Sequence, residues 1–233
     1  MSSISNGLHG HTSAITARRR ENVFVAGEIV RHRRASRLIH WSVAITFFLS
    51  LLSGMPIWTP IFGWMAALVG GLEVARIIHP YAGVLFFVLC VVQFFHWVGD
   101  MHLSQQDRGW LRPSKLMAYM RYEDEPAQEG GKYNPGQKAF FYAISLGAVG
   151  LLLSGIFIWF PRFFPPIVRE LSYLLHDITF ICFVIAIITH IYLGTIAEPG
   201  TFRAMSRGTV TRAWARLHHP DWFRDVTQET RED

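Results

Sequence analysis

Cysteine is nearly absent from this sequence: only Cys90 and Cys182 occur, both deep in apolar runs. Two such thiols exclude a disulfide framework, and without a Cys-x-x-Cys-His motif a covalently attached c-type haem is excluded too. Both are expected to be packing residues. Charge is scarce as well. Charged residues make up 17% of the chain, where a soluble domain carries about a quarter. The net charge of +5 does not indicate nucleic acid, because the positives sit beside the apolar runs, where they serve as membrane anchors. No secretory signal is expected: Arg18, Arg19 and Arg20 are not closely followed by an apolar segment, and the first long apolar run begins near Leu38. Residues 1–30 read as a polar, basic leader, flexible and outside the fold. No internal repeat is visible.

Four apolar stretches are present: Leu38–Trp58, Ile77–Val98, Ala139–Phe160 and Leu171–Ala197. The first three hold no Asp, Glu, Lys or Arg, and the fourth holds only Asp177. Each is long enough to cross about 30 Å of hydrocarbon as a helix, and backbone polar groups in lipid require helices. The expected fold is therefore an all-α integral membrane protein, a four-transmembrane-helix bundle over residues 31–197. It has a loop at 99–138 and a tail at 198–233.

Basic residues set the orientation. Arg31, Arg33, Arg34 and Arg37 precede the first span. Arg108, Arg112, Lys115, Arg121, Lys132 and Lys138 fill the middle loop, and Arg203, Arg207, Arg212 and Arg216 follow the last span. The other two loops carry Arg76 and then Arg162 and Arg169. Both termini and the middle loop are expected in the cytoplasm, and the loops at 59–76 and 161–170 on the periplasmic side. Pro56, Pro60, Pro80, Pro161, Pro165 and Pro166 punctuate the periplasmic ends. Trp58, Trp64 and Trp159 suit an interfacial belt there, as Trp41 and Trp97 do opposite.

Five histidines lie in or at these spans: His40, His79, His96, His176 and His190. An ionisable side chain in a membrane is a functional candidate. Haem ligation, a proton path, a metal site and interhelical hydrogen bonding are the alternatives. His176 and His190 are 14 residues apart, which returns them to within about 40° of one face and separates them by about 21 Å along the helix. Two stacked redox centres need such a stripe. Partners exist at equal depth: His40 with His190 at the cytoplasmic side, and His79 with His176 at the periplasmic side. Each pair offers two imidazoles from two helices, the donor set of a bis-histidine b-type haem. His96 points about 100° away from His79; it reads as interfacial, with replacement of His40 as a ligand the alternative. Gly83, one turn after His79, leaves room for a porphyrin, and Gly54, Gly147, Gly150 and Gly155 serve either that or close helix packing. His9, His11, His32, His102, His218 and His219 are not expected to be ligands.

The segments RLIHW (Arg37–Trp41), RIIHPYAG (Arg76–Gly83), GKYNPGQK (Gly131–Lys138), LLHD (Leu174–Asp177), THIYLGT (Thr189–Thr195) and RAWARLHHPDW (Arg212–Trp222) carry a resemblance. Over about Arg31–Arg224 the chain resembles the gamma subunit, a dihaem cytochrome b556, of membrane-bound respiratory formate dehydrogenases. The resemblance implies an inner-membrane subunit with two b-type haems, one on His40 and His190 and one on His79 and His176. It implies a quinone pocket beside the cytoplasmic-side haem, at Asn134 and Gly136 with Gln137 as a neighbour and His190 at its edge. The acceptor would be ubiquinone or menaquinone. Implied partners are an iron–sulfur beta subunit and a molybdopterin or tungstopterin alpha subunit, in a heterotrimer that oligomerises further. This chain, with no molybdenum-site or iron–sulfur signature, would reduce quinone and not itself oxidise formate. Departures from the family are a longer leader, Phe180 where a small residue would ease porphyrin packing, and Pro135 inside the loop motif. The alternative within the same chemistry is the cytochrome b subunit of a nickel–iron hydrogenase. Outside it stand a proton channel or transporter and a purely structural anchor.

Overall fold

A computed structural model describes residues 21–110, 112–121 and 131–232. In chain order these form strands β1 (Val23–Val25) and β2 (Glu28–Val30) and the long helix α1 (Arg34–Trp58). A 3-10 helix at Pro60–Val69 leads to α2 (Leu72–Trp97), followed by the short α3 (Gln105–Trp110) and α4 (Pro113–Met120). Then come α5 (Pro135–Trp159), α6 (Pro166–Tyr192), α7 (Phe202–Ser206), β3 (Thr209–Thr211), α8 (Arg212–His218) and α9 (Pro220–Glu232). Four apolar helical segments are long enough to span a bilayer: Arg34–Trp58, Leu72–Asp100, Pro135–Trp159 and Pro166–Ala197. Each expected span is present and longer than its apolar run. Pro80 thus lies inside α2, where it cannot donate the backbone hydrogen bond of an interior helical residue.

The chain divides into two compact units. One contains Ile39–Trp97 and Phe141–Ile188. Its burial is inverted relative to a soluble bundle. Ile45, Phe95, Leu146, Ile185 and Ile188 are exposed, while Ser53, Ser154, Ala75, Ala82 and Ala148 are buried. Outward aliphatics suit lipid, and small residues let helices approach closely. Phe47, Phe86 and Phe183, from α1, α2 and α6, meet in a buried triad with ring centres 5.8–5.9 Å apart. α5 contributes Gly147, where a Cβ would stand 2.5 Å from the Phe183 ring. Cys90 is buried and Cys182 exposed, so only the first is a packing thiol.

The other unit gathers 21–38, Val98–Phe140 and 189–232. These are the N-terminal segment, the middle loop and the C-terminal segment, the three parts expected on one side of the membrane. Here the fold departs from the all-α expectation. β1, β2 and β3 form an antiparallel sheet, with Val23 opposite Val30 and Ile29 opposite Val210. Residues 21–30, expected in a flexible leader, are therefore folded, and the 198–233 tail supplies a strand and helices. Residues 1–20 lie outside the described residues. The physical reason is a small apolar core of Ile29, Ala204, Val210, Trp214, Ala215, Trp222 and Val226, drawn from both ends of the chain. Gly208 (φ +91°) joins α7 to β3, and its carbonyl accepts from the Arg31 and His32 amides. A Cβ there would lie 2.6 Å from the His32 carbonyl oxygen, so only glycine fits.

Ion pairs tie this unit together. Lys132 pairs with Glu21, and Arg203 with Glu28. Burial opposes ionisation of Glu21, but Lys132, the Ser36 hydroxyl and the Arg33 amide together hold its carboxyl below the usual range. Lys138 and Asp107 form a buried pair at 2.7 Å. Burial again opposes the charge, and the bonds from Lys138 and Ser104 outweigh it, keeping Asp107 low. Ser104 and Asp107 also bond each other's backbone amides reciprocally at the start of α3, an N-terminal capping box.

Candidate haem and quinone sites

α2 and α6 bring His79 and His176 together. Their ring centres are 6.2 Å apart and their planes are 75° to one another. Two imidazoles that share one metal through bonds of about 2 Å place their ring centres roughly 6 Å apart, so the pair has the spacing for an iron between them. The remaining nitrogens are committed. His79 Nδ1 lies 3.1 Å from the Ser50 carbonyl oxygen of α1. A carbonyl only accepts, so Nδ1 carries the hydrogen and the Nε2 lone pair is left for a metal. His176 Nδ1 lies 2.9 Å from Ser154 Oγ of α5. The Ser154 hydroxyl donates to the Gly150 carbonyl at 2.6 Å, so it accepts from His176 and fixes the same tautomer. Outer hydrogen bonds of this kind orient a ligand and raise its basicity. All four long helices contribute: α2 and α6 the imidazoles, α1 and α5 their supports. Among the described residues no group of three or more His, Cys, Asp or Glu converges as a metal site; two imidazoles match the donor set of a bis-histidine haem.

Gly54 is the glycine packed directly against the His79 ring. A Cβ at Gly54 would lie 2.7 Å from His79 Cε1, whereas one at Gly83 meets nothing within 4 Å. Gly155 stands in ordinary contact, with its Cβ position 3.6 Å from His176 Cε1. The Phe180 ring packs edge-on against Trp58 at 5.5 Å, which gives that bulky side chain a seat on α1.

The phenylalanine triad adds a level to this stripe. Phe47 follows His40 by seven residues, Phe86 follows His79 by seven, and Phe183 is seven from both His176 and His190. Seven residues are two turns, about 10 Å. On each of these helices an aromatic ring therefore marks the midpoint between the two histidine depths.

His40 and His190 fall in different units. His40 meets Trp41 edge-on at 5.3 Å, and His190 stacks on Phe140, 4.8 Å away and 7° from parallel. A π-type turn, Leu193–Ala197, follows His190. His96 is half-buried and edge-on to Trp97 at 4.7 Å.

Asn134 and Gln137 form a capping box that sequence reasoning did not foresee. The Asn134 amide donates to Gln137 Oε1 at 3.1 Å, and the Gln137 amide donates to Asn134 Oδ1 at 2.8 Å. Pro135, a departure from the family motif, occupies the first position of α5, where a missing N–H is harmless. The spacing Asn-Pro-x-Gln was the available signal. The cap uses the Asn134 carbonyl oxygen and leaves its NH2 as a donor. Gly136 lies between the two capping side chains.

Residues 31–208 match the model of the family described as prokaryotic cytochrome b561. The chain is 34% identical over 206 residues to the formate dehydrogenase cytochrome b556(fdo) subunit of Escherichia coli K12, covering 87% of this chain and 95% of that protein. It is 32% identical over 211 residues to the formate dehydrogenase cytochrome b556 subunit of Haemophilus influenzae, covering 88% and 87%. It is 33% identical over 201 residues to the nitrate-inducible cytochrome b556(Fdn) subunit of E. coli K12, covering 85% and 91%. The chain belongs to the prokaryotic cytochrome b561 family, among the formate dehydrogenase cytochrome b556 subunits. It is a multi-pass protein of the bacterial inner membrane and a b-type electron-transfer cytochrome. A cytochrome family is haem-binding, so the proton-channel and bare-anchor alternatives give way.

Proposed function

We propose that this cytochrome b is the quinone-reducing membrane subunit of a formate dehydrogenase. It would receive electrons from an iron–sulfur subunit at the periplasmic face and deliver them to ubiquinone or menaquinone near the cytoplasmic face. The observation that carries the proposal is the facing pair His79–His176, with both Nδ1 atoms engaged and both Nε2 atoms left to an iron. His40 and His190 are proposed as the second pair on the argument of equal depth. Bound b-type haems supply one-electron transfer across the membrane.

The chain's own residues do the rest. Ser50 and Ser154 hold the imidazoles in the ligating tautomer. Gly54 keeps the His79 ring unobstructed. The Phe47–Phe86–Phe183 layer fills the bundle between the two depths. At the loop, the Asn134 NH2 would donate to a quinone carbonyl while its oxygen caps α5, and Gly136 would let the backbone come close. Quinol formation takes up protons, and uptake on the cytoplasmic side would add to charge separation across the membrane. An iron–sulfur beta subunit and a molybdopterin or tungstopterin alpha subunit are the proposed partners. The names of the relatives support formate dehydrogenase over a nickel–iron hydrogenase.

The test is a reduced-minus-oxidised visible spectrum of the detergent-purified chain with haem quantified per polypeptide. Two b-type haems per chain are expected. A folded preparation with one haem would remove the second pair, and one with none would remove the proposal.

A further inference from the structure

Arg31 and His219 are buried polar side chains in the unit that holds the sheet, 3% and 2% exposed. Neither belongs to a haem or quinone set. They arrive from opposite ends of the described chain, Arg31 just before α1 and His219 between α8 and α9, and meet. Arg31 Nη2 lies 3.2 Å from His219 Nε2. The same Nη2 donates to the Lys132 carbonyl, and His219 Nδ1 lies 3.1 Å from the Gly131 carbonyl oxygen. A carbonyl only accepts, so His219 carries its hydrogen on Nδ1, and its Nε2 lone pair accepts from Arg31. The guanidinium lies over Trp214 and Trp222, 5.0 Å from each ring centre, and 5.5 Å from that of Tyr133. Both charged and imidazole groups therefore end on two consecutive backbone carbonyls, Gly131 and Lys132, immediately upstream of Asn134.

We propose that Arg31 and His219 are positioning residues that clamp the Gly131–Asn134 segment, so that Asn134 caps α5 and presents its NH2 to quinone in one fixed register. The inference rests on the quinone reading of this loop. The cap alone does not fix the approach, because its two side-chain bonds join Asn134 and Gln137 to each other's amides and so travel with α5. The clamp ties the preceding carbonyls to the sheet-and-tryptophan core of Ile29, Val210, Trp214 and Trp222. Lys132 adds a third tie, through Glu21. A buried guanidinium is stabilised here by the Trp214 and Trp222 faces and by two acceptors on Nη2, and a lysine lacks the flat, weakly hydrated group that lies over those rings.

The test uses the intact complex carrying His219→Ala, His219→Asn, Arg31→Lys or Asn134→Asp. His219→Ala should raise the KM for quinone about tenfold, the effect of losing a hydrogen bond of about 1.4 kcal/mol. Haem content, haem spectrum and turnover with an artificial dye acceptor should stay unchanged. It should weaken binding of a fluorescent quinoline N-oxide quinone analogue, and speed amide hydrogen exchange of 131–134 above that of α9. His219→Asn retains a donor toward Gly131 and should restore much of the binding. Arg31→Lys should act like His219→Ala, and stands in for it if the alanine variant does not assemble. Unchanged KM and unchanged exchange in both His219→Ala and Arg31→Lys, beside a raised KM in Asn134→Asp, would overturn the clamp and keep the quinone site. Unchanged KM in Asn134→Asp would overturn the quinone site; faster exchange in His219→Ala would then show a clamp that serves only the cap.

Discussion

His79 and His176 face each other at 6.2 Å between ring centres, and each is held at Nδ1 by a serine from a different helix, Ser50 for one and Ser154 for the other. The two supports differ chemically. Ser50 offers a backbone carbonyl that no side-chain substitution removes, whereas Ser154 offers a hydroxyl. Ser154→Ala should therefore leave His176 a ligand but a less basic one. The periplasmic-side haem should remain bound and its midpoint potential should rise. A differential hydrogen bond of about 1 kcal/mol corresponds to roughly 40 mV for one electron. Redox titration of the two haem signals checks this: one potential moves and the other stays. Equal shifts in both would place Ser154 outside the ligand set.

Gly54→Ala should displace the His79 ring, because the new Cβ would lie 2.7 Å from Cε1. The ring cannot retreat without lengthening its bond to the Ser50 carbonyl. Haem content should fall toward one per chain, while Gly83→Ala, whose Cβ enters open space, should leave the His79 ring seated and lower haem content only where porphyrin fills that space. The paired haem assays decide whether the close approach at Gly54 matters.

The two glycines illustrate what the sequence made legible. Helical spacing exposed the four spans and the 14-residue stripe of His176 and His190, because lipid enforces helix and helix enforces period. It pointed to Gly83, on the face of His79 in the same helix. Gly54 approaches from α1, and no period within one helix reports a neighbour in another. The sheet was hidden for a related reason. Its strands are three residues each, and β3 is some 180 residues from β2, so nothing local marks the pairing. The aromatic spacing of Trp214 and Trp222 around His218 and His219 was a signal of a folded tail, masked by the surrounding charge. Asn134-Pro135-x-Gln137 carried a capping signature outright.

The α5 cap uses Asn134 Oδ1 and the proposed quinone contact uses its NH2, so the two are separable. Asn134→Asp keeps an oxygen for the Gln137 amide, and aspartate caps as well as asparagine. It loses the NH2. Thermal stability should stay near that of the parent and quinone turnover should fall. Asn134→Ala loses both and should be destabilised by about 1 kcal/mol as well. Both haems should persist in each variant. Full quinone turnover in Asn134→Asp would leave the residue a cap alone.

His190→Ala should remove the cytoplasmic-side haem and quinone reduction together, and spare formate oxidation by the complex with an artificial acceptor. His40→Ala should match it, whereas His96→Ala should keep both haems. Haem counts on the three variants distinguish His40 from His96 as the partner of His190. Loss of haem in His96→Ala with retention in His40→Ala would reverse the assignment.

Acid should loosen the sheet-bearing unit through His219. Burial and the neighbouring Arg31 charge push its pKa down to about 2, whereas in the unfolded chain it returns to about 6.5. Below that pH the unfolded state binds a proton that the folded state does not. The stability His219 supports is therefore complete above about pH 6.5 and is lost as pH falls, by about 1.4 kcal/mol per pH unit for one proton. Asp107 and Glu21, both held low, lose their contributions only nearer their own lower range; His218, also lowered by burial, acts over the same interval as His219, whose larger shift makes it the greater contributor between pH 6.5 and 5. Denaturant unfolding of the detergent-solubilised protein, followed by tryptophan fluorescence, should weaken over that interval. His219→Asn, which does not titrate, should flatten the dependence. An equal slope in parent and variant would assign the acid sensitivity to other groups.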